Sequence, residues 1–295
     1  MIITKLSGGL GNQMFQYAAA RALSIKWQEK LLFDTSLFSN QYPNVDKRAY
    51  ALDIFKNIKP RFSRSFLSGG FYMHSRWDNR IRKILGARTR KVLREEAHSF
   101  NPFFNEITAP VLLEGYWQTE KYFKPFENII RKDFEFPGFE QSDKNNSILN
   151  DILMNESVSV HVRRGDYVNY GTENKFYGVC DKEYFQNAIQ YFLSIKNDLK
   201  FYFFSEDAAW IQSHLISDAF SATIVTGNYG QESWKDMYLM SNCKYHIIAN
   251  SSFSWWGAWL STSASKRVVS PSKWFKTDDP FYEPNDVVPG SWVRM

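Results

Sequence analysis

Val158-Ser159-Val160-His161-Val162-Arg163-Arg164-Gly165-Asp166-Tyr167 opens as a strand and closes as a cluster of charge. Its valines alternate with Ser159 and His161, the period-two pattern of β structure. A strand running on to Arg163 would put Ser159, His161 and Arg163 on one face and the valines on the other. Two arginines, a glycine and an aspartate follow at its C-terminal end, where open α/β sheets bind ligands. The stretch therefore reads as one strand of an α/β sheet carrying a site for an anion such as phosphate. The plainer reading is a solvated turn with an Arg–Asp pair, and the rest of the chain has to decide between them.

Downstream, strands and helices take turns. Asp181 can cap a helix with Phe185, Ala188, Ile189 and Phe192 on one stripe. Phe201-Tyr202-Phe203-Phe204 is a buried-type strand, and Ser205-Glu206-Asp207 then opens a helix with acids in its first turn. Ala222–Thr226 is a strand, Glu232–Met240 a helix and Tyr245–Ala249 a strand. Asn250-Ser251-Ser252-Phe253-Ser254 leads into Trp255-Trp256-Gly257-Ala258-Trp259-Leu260, and Val268-Val269 closes the series. Such alternation predicts a doubly wound parallel sheet over residues 151–270. Residues 271–295 read as an irregular aromatic tail packed over the domains.

Upstream, Met1–Leu6 suits a strand and Ser7-Gly8-Gly9-Leu10-Gly11-Asn12-Gln13 a glycine-rich loop. Phe15, Ala18, Ala19 and Ala22 then mark an amphipathic helix. Such a loop is either a structural turn or a place where backbone N–H groups meet an anion or a sugar. Leu31-Leu32-Phe33, ending at Asp34, reads as a second strand and Val111-Leu112-Leu113 as another. The latter runs into Glu114-Gly115-Tyr116-Trp117-Gln118, whose aromatics suit a sugar-binding wall or a domain interface. The polar stretch Asp143–Ser147 suggests a boundary, giving a first α/β domain over 1–150.

With 295 residues, 25 Phe, 16 Tyr and 10 Trp, the chain can fill one large core or two ordinary ones. Its net charge of +5 points to an acidic partner. Residues 59–94 hold eleven Lys and Arg against Asp78 alone, which makes them either a solvated, partly helical excursion or a face for anionic lipid headgroups. Cys180 and Cys243 form neither metal spacing nor a disulfide framework. The start of the chain lacks the pattern of a signal peptide, and no apolar run is long enough to span a membrane. A cytoplasmic protein, peripheral at the inner face of the membrane, is the expectation.

Three loops should leave the C-terminal strand ends of the second domain: Arg163–Asp166, Ser205–Asp207 and Asn250–Ser254. Arginines neutralise phosphates, a Ser-rich helix start offers hydroxyls and N–H groups, and a carboxylate can accept from guanine N1–H and its exocyclic amine. Together they describe a purine diphosphate site with guanine preferred. The chain has no D-x-D or H-E-x-x-H sequence and no cysteine cluster, and nothing near Asp278-Asp279 completes a metal site. A diphosphate leaving group would then rest on arginine and helix N-termini, with no cofactor.

The sequence resembles the bacterial α-1,2-fucosyltransferases of glycosyltransferase family 11. The resemblance rests on Leu6–Tyr17, His161–Tyr167 and Asn250–Gly257, with Leu113–Gln118 and Phe204–Asp207 also similar. It implies a GT-B-like fold, two Rossmann-like α/β domains facing a cleft, with the acceptor on the first and GDP-β-L-fucose on the second. It further implies no required metal and inversion at the fucose C1. On this resemblance Arg163 holds the β-phosphate, His161 contacts the nucleotide, and Glu206 or Asp207 reads guanine. Asn250, Ser251 and Ser252 bind phosphate, and Gly11 and Asn12 reach the donor's reacting end. Tyr116, Trp117, Gln118 and Glu173 are candidates for the acceptor, a galactose-terminated oligosaccharide or lipid-linked glycan.

The chemistry expected is direct displacement by a galactose 2-hydroxyl, with Arg163, Asp166 and Asn12 as catalytic residues. Asp166 is the first candidate for the base, although pairing with an arginine would lower its pKa; Glu173 is the alternative. Rival readings are a fucosyltransferase of another linkage, a GDP-mannose-using transferase, a non-catalytic glycan-binding module and a nucleic-acid-binding protein. No nucleic-acid motif supports the last.

Overall fold

The structure, a computed structural model, describes residues 1–39, 48–63, 91–96, 98–164, 180–275 and 286–295. They form two compact units, Met1–Glu135 and Phe136–Met295.

The first unit is built on β1 (Ile2–Lys5), α1 (Leu10–Lys26), β2 (Leu31–Asp34), α2 (Ser36–Ser39), β3 (Lys91–Arg94), β4 (Val111–Glu114) and α3 (Glu127–Asp133). Its four strands are all parallel, in the order β2-β1-β4-β3. Helix α1 forms as its spacing predicts: Phe15, Ala18, Ala19 and Ala22 are buried, and alanine costs no side-chain entropy in a helix. Burial is nearly all round, so α1 is an interior helix. Asp133 of α3 fixes it from outside, accepting from Tyr17 Oη at 2.8 Å and Arg21 Nε at 2.9 Å.

The second unit holds α4 (Asn145–Met154), β5 (Glu156–His161), α5 (Lys182–Ile195), β6 (Leu199–Phe204), α6 (Ala208–His214) and β7 (Ser221–Val225). It continues with α7 (Trp234–Asn242), β8 (Tyr245–Ile247), α8 (Ser252–Leu260), β9 (Arg267–Ser270) and β10 (Val293–Arg294). Six parallel strands run in the order β10-β9-β8-β5-β6-β7. The alternation in β5 does what its pattern predicts. Val158, Val160 and Val162 pack with Phe185, Ala188 and Phe192 of α5 in one core. Ser159, on the opposite face, meets His246 Nδ1 at 2.8 Å. On that side α7 and α8 approach so closely that a Cβ on Gly257 would lie 3.0 Å from Met240 Cβ. Asp181 caps α5 as expected, accepting from the Tyr184 N–H at 2.8 Å.

Four readings need adjustment. The contact-defined units divide at Glu135 and Phe136, ahead of residue 150, because Phe136 and Phe139 pack on Trp234 and Tyr238 of α7. The polar stretch at 143–147 instead starts α4, with Asp143 Oδ1 accepting from the Asn145 N–H at 2.8 Å. Within the basic stretch, Lys91–Arg94 is neither helix nor loop but the edge strand β3, paired with β4; residues 64–90 lie outside the described residues. The C-terminal tail ends as β10 on β9, and its Val287 carbonyl accepts from Trp255 Nε1 at 2.7 Å. Lastly, β5 stops at His161, short of Arg163, although the Val162 N–H still donates to the Phe204 carbonyl at 2.9 Å.

Candidate functional site

In the second unit, β8, β5 and β6 are consecutive, so the loops after them share the sheet's C-terminal edge. The chain goes from β5 to β6 and β7 on one side, then crosses to β8 and β9 on the other. The junction of β5 and β8 is therefore the topological switch point, where flanking loops part and a crevice opens for a ligand.

At that junction Arg163 Nη1 donates to Ser251 Oγ at 3.1 Å. Ser251 is buried and is the N-cap of α8, its Oγ also accepting from the Phe253 N–H at 3.3 Å. No acid stands in the first turn of α8. A guanidinium is thus tied to the positive end of a helix dipole, an arrangement of like charges that an anion relieves. Ser252 begins the helix and is half-buried. Asn250 is buried and ties the loop down, donating to the Trp274 carbonyl at 3.0 Å and accepting from Cys180 Sγ at 3.5 Å. His161 sits beside this loop with its ring centroid 5.7 Å from that of Phe253.

At the end of β6 the two acids part ways. Asp207 caps α6, Oδ1 accepting from the Trp210 N–H at 3.0 Å, so the acids precede the helix rather than filling its first turn. Its Oδ2 lies 3.5 Å from Arg164 Nε, an ion-pair distance without hydrogen-bond geometry. The Arg164 guanidinium stacks 4.3 Å over the Trp210 ring. Arg164 and Asp207 therefore brace the β5 and β6 loops against α6. Glu206 is exposed and makes no hydrogen bond or ion pair among the described residues.

The first unit repeats the geometry. Its switch point lies between β1 and β4, and the glycine loop and the Gly115 turn follow those two strands. Two buried glutamines of α1 shape the loop. Gln16 receives the Ser7 N–H at 2.9 Å and donates to Ser7 Oγ at 2.9 Å and the Gly115 carbonyl at 3.1 Å. Gln13 donates to the Gly8 carbonyl at 2.9 Å and the Ala49 carbonyl at 2.8 Å. Gly8 has φ +72°, and a Cβ there would lie 2.6 Å from Asn12 Nδ2. Asn12 Oδ1 accepts from Gln118 Nε2 at 2.9 Å. Gly11, in the first turn of α1, is buried.

Opposite, Glu95 follows β3 and accepts from the N–H groups of Tyr116 at 2.6 Å and Trp117 at 3.0 Å. Burial pushes its carboxyl up to about 7, against the lowering effect of those two bonds. Trp117 has φ +56°, which turns its ring inward. There it packs 5.3 Å from Phe104 and 5.4 Å from Tyr122, centroid to centroid, at 1% exposure.

The sequence model described as Glycosyl transferase family 11 matches residues 70–295. This chain belongs to glycosyl transferase family 11. An alpha-1,2-colitosyltransferase of Escherichia coli is 32% identical over 100% of this chain and 99% of its own length. The O-antigen biosynthesis glycosyltransferase WbnK, also of Escherichia coli, is 33% identical over 98% and 99%. Among solved structures, the fucosyltransferase NodZ from Bradyrhizobium aligns with TM-score 0.50 at 14% identity, covering 87% of this chain and 91% of that one. The fold is GT-B-like, with two Rossmann-like α/β units of parallel sheet.

Of the residues that the sequence singles out in this family 11 glycosyltransferase, the second unit gathers His161, Arg163, Glu206, Asp207, Asn250, Ser251 and Ser252 along one sheet edge. The first unit gathers Gly11, Asn12, Tyr116 and Gln118. Trp117 is a correction: its ring lies in the core rather than on a wall, because its left-handed backbone points it there. Asp166, Glu173 and Asp278-Asp279 lie outside the described residues. Sequence reasoning missed Gln13, Gln16 and Glu95. The glutamines lie off the stripe marked by Phe15, Ala18, Ala19 and Ala22, so the spacing gave no signal for them; Glu95 carried only its place as the first acid after a basic run. Among the described residues no group of His, Cys, Asp and Glu could hold a metal ion, and no helix is long and apolar enough to cross a membrane.

Proposed function

We propose that this family 11 glycosyltransferase moves L-fucose from GDP-β-L-fucose to the 2-hydroxyl of a terminal β-galactoside in a cell-surface glycan, inverting at C1 to an α-1,2 linkage. The observation that carries the reading is Arg163 held on Ser251 at the acid-free start of α8. That pairing of like charges suits a diphosphate and supplies what a departing nucleoside diphosphate needs. Glu206, exposed on the neighbouring strand end, suits the two donors on the edge of guanine.

The reaction is a direct displacement. The acceptor oxygen forms a bond to fucose C1 as the bond from C1 to the β-phosphate oxygen breaks, and GDP leaves with the electron pair. Arg163 and the start of α8 take the charge that develops on the β-phosphate. By comparison with lost oxyanion donors, Arg163→Ala lowers kcat on the order of 10²–10³. Asn12, fixed by Gln118 within the first unit, is the further catalytic residue of this reading. The acceptor hydroxyl's proton goes to Asp166 or, failing that, Glu173. Since arginine and helix dipole meet the leaving charge, transfer continues in EDTA and needs no cofactor.

The acceptor in this proposal is a galactose-terminated oligosaccharide or lipid-linked glycan, met in the cytoplasm at an anionic membrane surface; nucleic acid is not a partner. Flotation with anionic liposomes at low salt tests the surface, and an unbound protein would remove it. A second reading is colitosyl transfer, favoured by the full-length relative named for it. The deciding experiment offers GDP-fucose, GDP-colitose and GDP-mannose with a panel of β-galactosides, with and without EDTA, and reads the product linkage by NMR. An α-1,2-fucosyl galactoside is expected; transfer from GDP-colitose alone moves the assignment to the second reading, and no transfer from any GDP-sugar overturns both.

A further inference from the structure

Glu95 is a carboxylate that the chemistry above does not use. It follows β3, the edge strand of the first sheet, and both of its oxygens turn inward to the turn after β4. The fit leaves no slack: a Cβ on Gly115 would lie 2.4 Å from Glu95 Cβ and 2.9 Å from Glu95 Oε2. The turn it holds is one the backbone does not favour by itself, since Trp117 is a non-glycine residue at φ +56°. The residue after Trp117 is Gln118, whose amide orients Asn12.

We propose that Glu95 is a positioning residue for the acceptor. Its carboxylate clamps the Tyr116 and Trp117 N–H groups, the clamp sets Gln118, and Gln118 sets Asn12 at the mouth of the glycine loop. The proposal rests on the functional reading of the first unit as the acceptor side.

Titration separates this role from simple packing. An ionised Glu95 offers acceptors to both N–H groups, whereas protonation converts one oxygen into a donor and loosens the clamp. Burial puts that change at about 7. The charges on the neighbouring strands are engaged with one another: Lys5 Nζ lies 3.0 Å from Glu114 Oε1, and Arg94 Nε lies 2.8 Å from Glu114 Oε2. His98, three residues on, is held below its ordinary value by burial. Acceptor use is therefore set to fall as pH drops through about 7.

The test compares wild type with Glu95→Gln and Gln118→Ala. A glutamine at 95 can accept through one atom only and turns an amide donor toward the other N–H. Glu95→Gln is expected to raise the acceptor KM about tenfold, a loss of about 1.4 kcal/mol. It should also abolish the acid limb near pH 7. Gln118→Ala breaks the chain one link further on, so it raises acceptor KM by a similar factor and flattens the same limb with Glu95 intact. This second variant decides the matter if the first fails to fold. An unchanged acceptor KM in Gln118→Ala, or an acid limb that survives Glu95→Gln, overturns the proposal. Isotope-labelled tryptophan gives a readout that needs no activity: the Trp117 backbone amide shifts with a midpoint near pH 7 in wild type and not in Glu95→Gln. A wild type that transfers no sugar but shows this titration breaks the functional reading and keeps the clamp; a flat Trp117 amide breaks the clamp itself.

Discussion

The two adjacent acids after β6 should fail in opposite ways when they are removed. Asp207 holds structure: it caps α6 and faces Arg164 at 3.5 Å with its side chain 37% exposed. Losing the cap costs about 1 kcal/mol. The Arg164 pair adds at most ~1 kcal/mol, discounted for its exposure and for lacking hydrogen-bond geometry. Asp207→Ala should therefore lower the melting temperature by roughly 3–6 °C, with GDP affinity reduced only as far as the loop loosens. Glu206 holds nothing among the described residues, so Glu206→Gln should leave the melting temperature unchanged within about 1 °C. A carboxylate that accepts from guanine N1–H and its amine contributes about 1.5–3 kcal/mol. Glu206→Gln should then weaken GDP binding by roughly 10–150-fold and leave ADP binding as it was. Calorimetric titration of both nucleotides into both variants, beside thermal melts, reads all of this. If Asp207→Ala erased the preference for guanine while Glu206→Gln kept it, the division of labour drawn from the cap geometry would be refuted.

Two further outcomes follow from the packing. Gly115→Ala drives a Cβ into Glu95, so the end of β3 must shift and the two N–H bonds to the carboxylate weaken; the first unit should lose about 3 kcal/mol in urea denaturation while GDP affinity holds. His246, buried in β8, is held at about 3 by desolvation. Its folded value is depressed, so its contribution to stability is complete above the unfolded value of about 6.5 and is lost as pH falls from there toward 3. Its ring signals should stay those of neutral imidazole down to pH ~4, and a titration near the ordinary histidine value would show that the site is wet.

Much of the second unit is legible in the sequence because its strands are buried on one or both faces and carry β-branched or aromatic runs between helices. Val158, Val160 and Val162 announce their face by alternation, and parallel order alone then sends the 163–164, 205–207 and 250–254 loops to one edge. What stays hidden has physical reasons. Lys91–Arg94 is an edge strand whose charged side chains are exposed, so no hydrophobic period marks it. Val293–Arg294 is two residues long and becomes a strand only because β9 has a free edge there. Trp117 belongs by composition to a sugar wall, but its left-handed backbone sends the ring into the core. Glu95 gains its raised affinity for a proton from burial against a turn twenty residues away in sequence, which no local pattern carries. The charged strand end that decides the fold also suggests its ligand class only in company: it is Arg163 held on Ser251 at the start of α8 that the proposal reads as a place for an anion.

The central claim is that this junction of β5 and β8 binds the diphosphate of a guanine nucleotide. GDP titration by calorimetry into wild type and Arg163→Ala, both folded by thermal melt, tests it most directly. The account predicts one GDP per chain in wild type and an affinity lower by roughly 10–150-fold in the variant, the share of a charge-assisted contact to phosphate. Equal GDP affinity in the two proteins would contradict it.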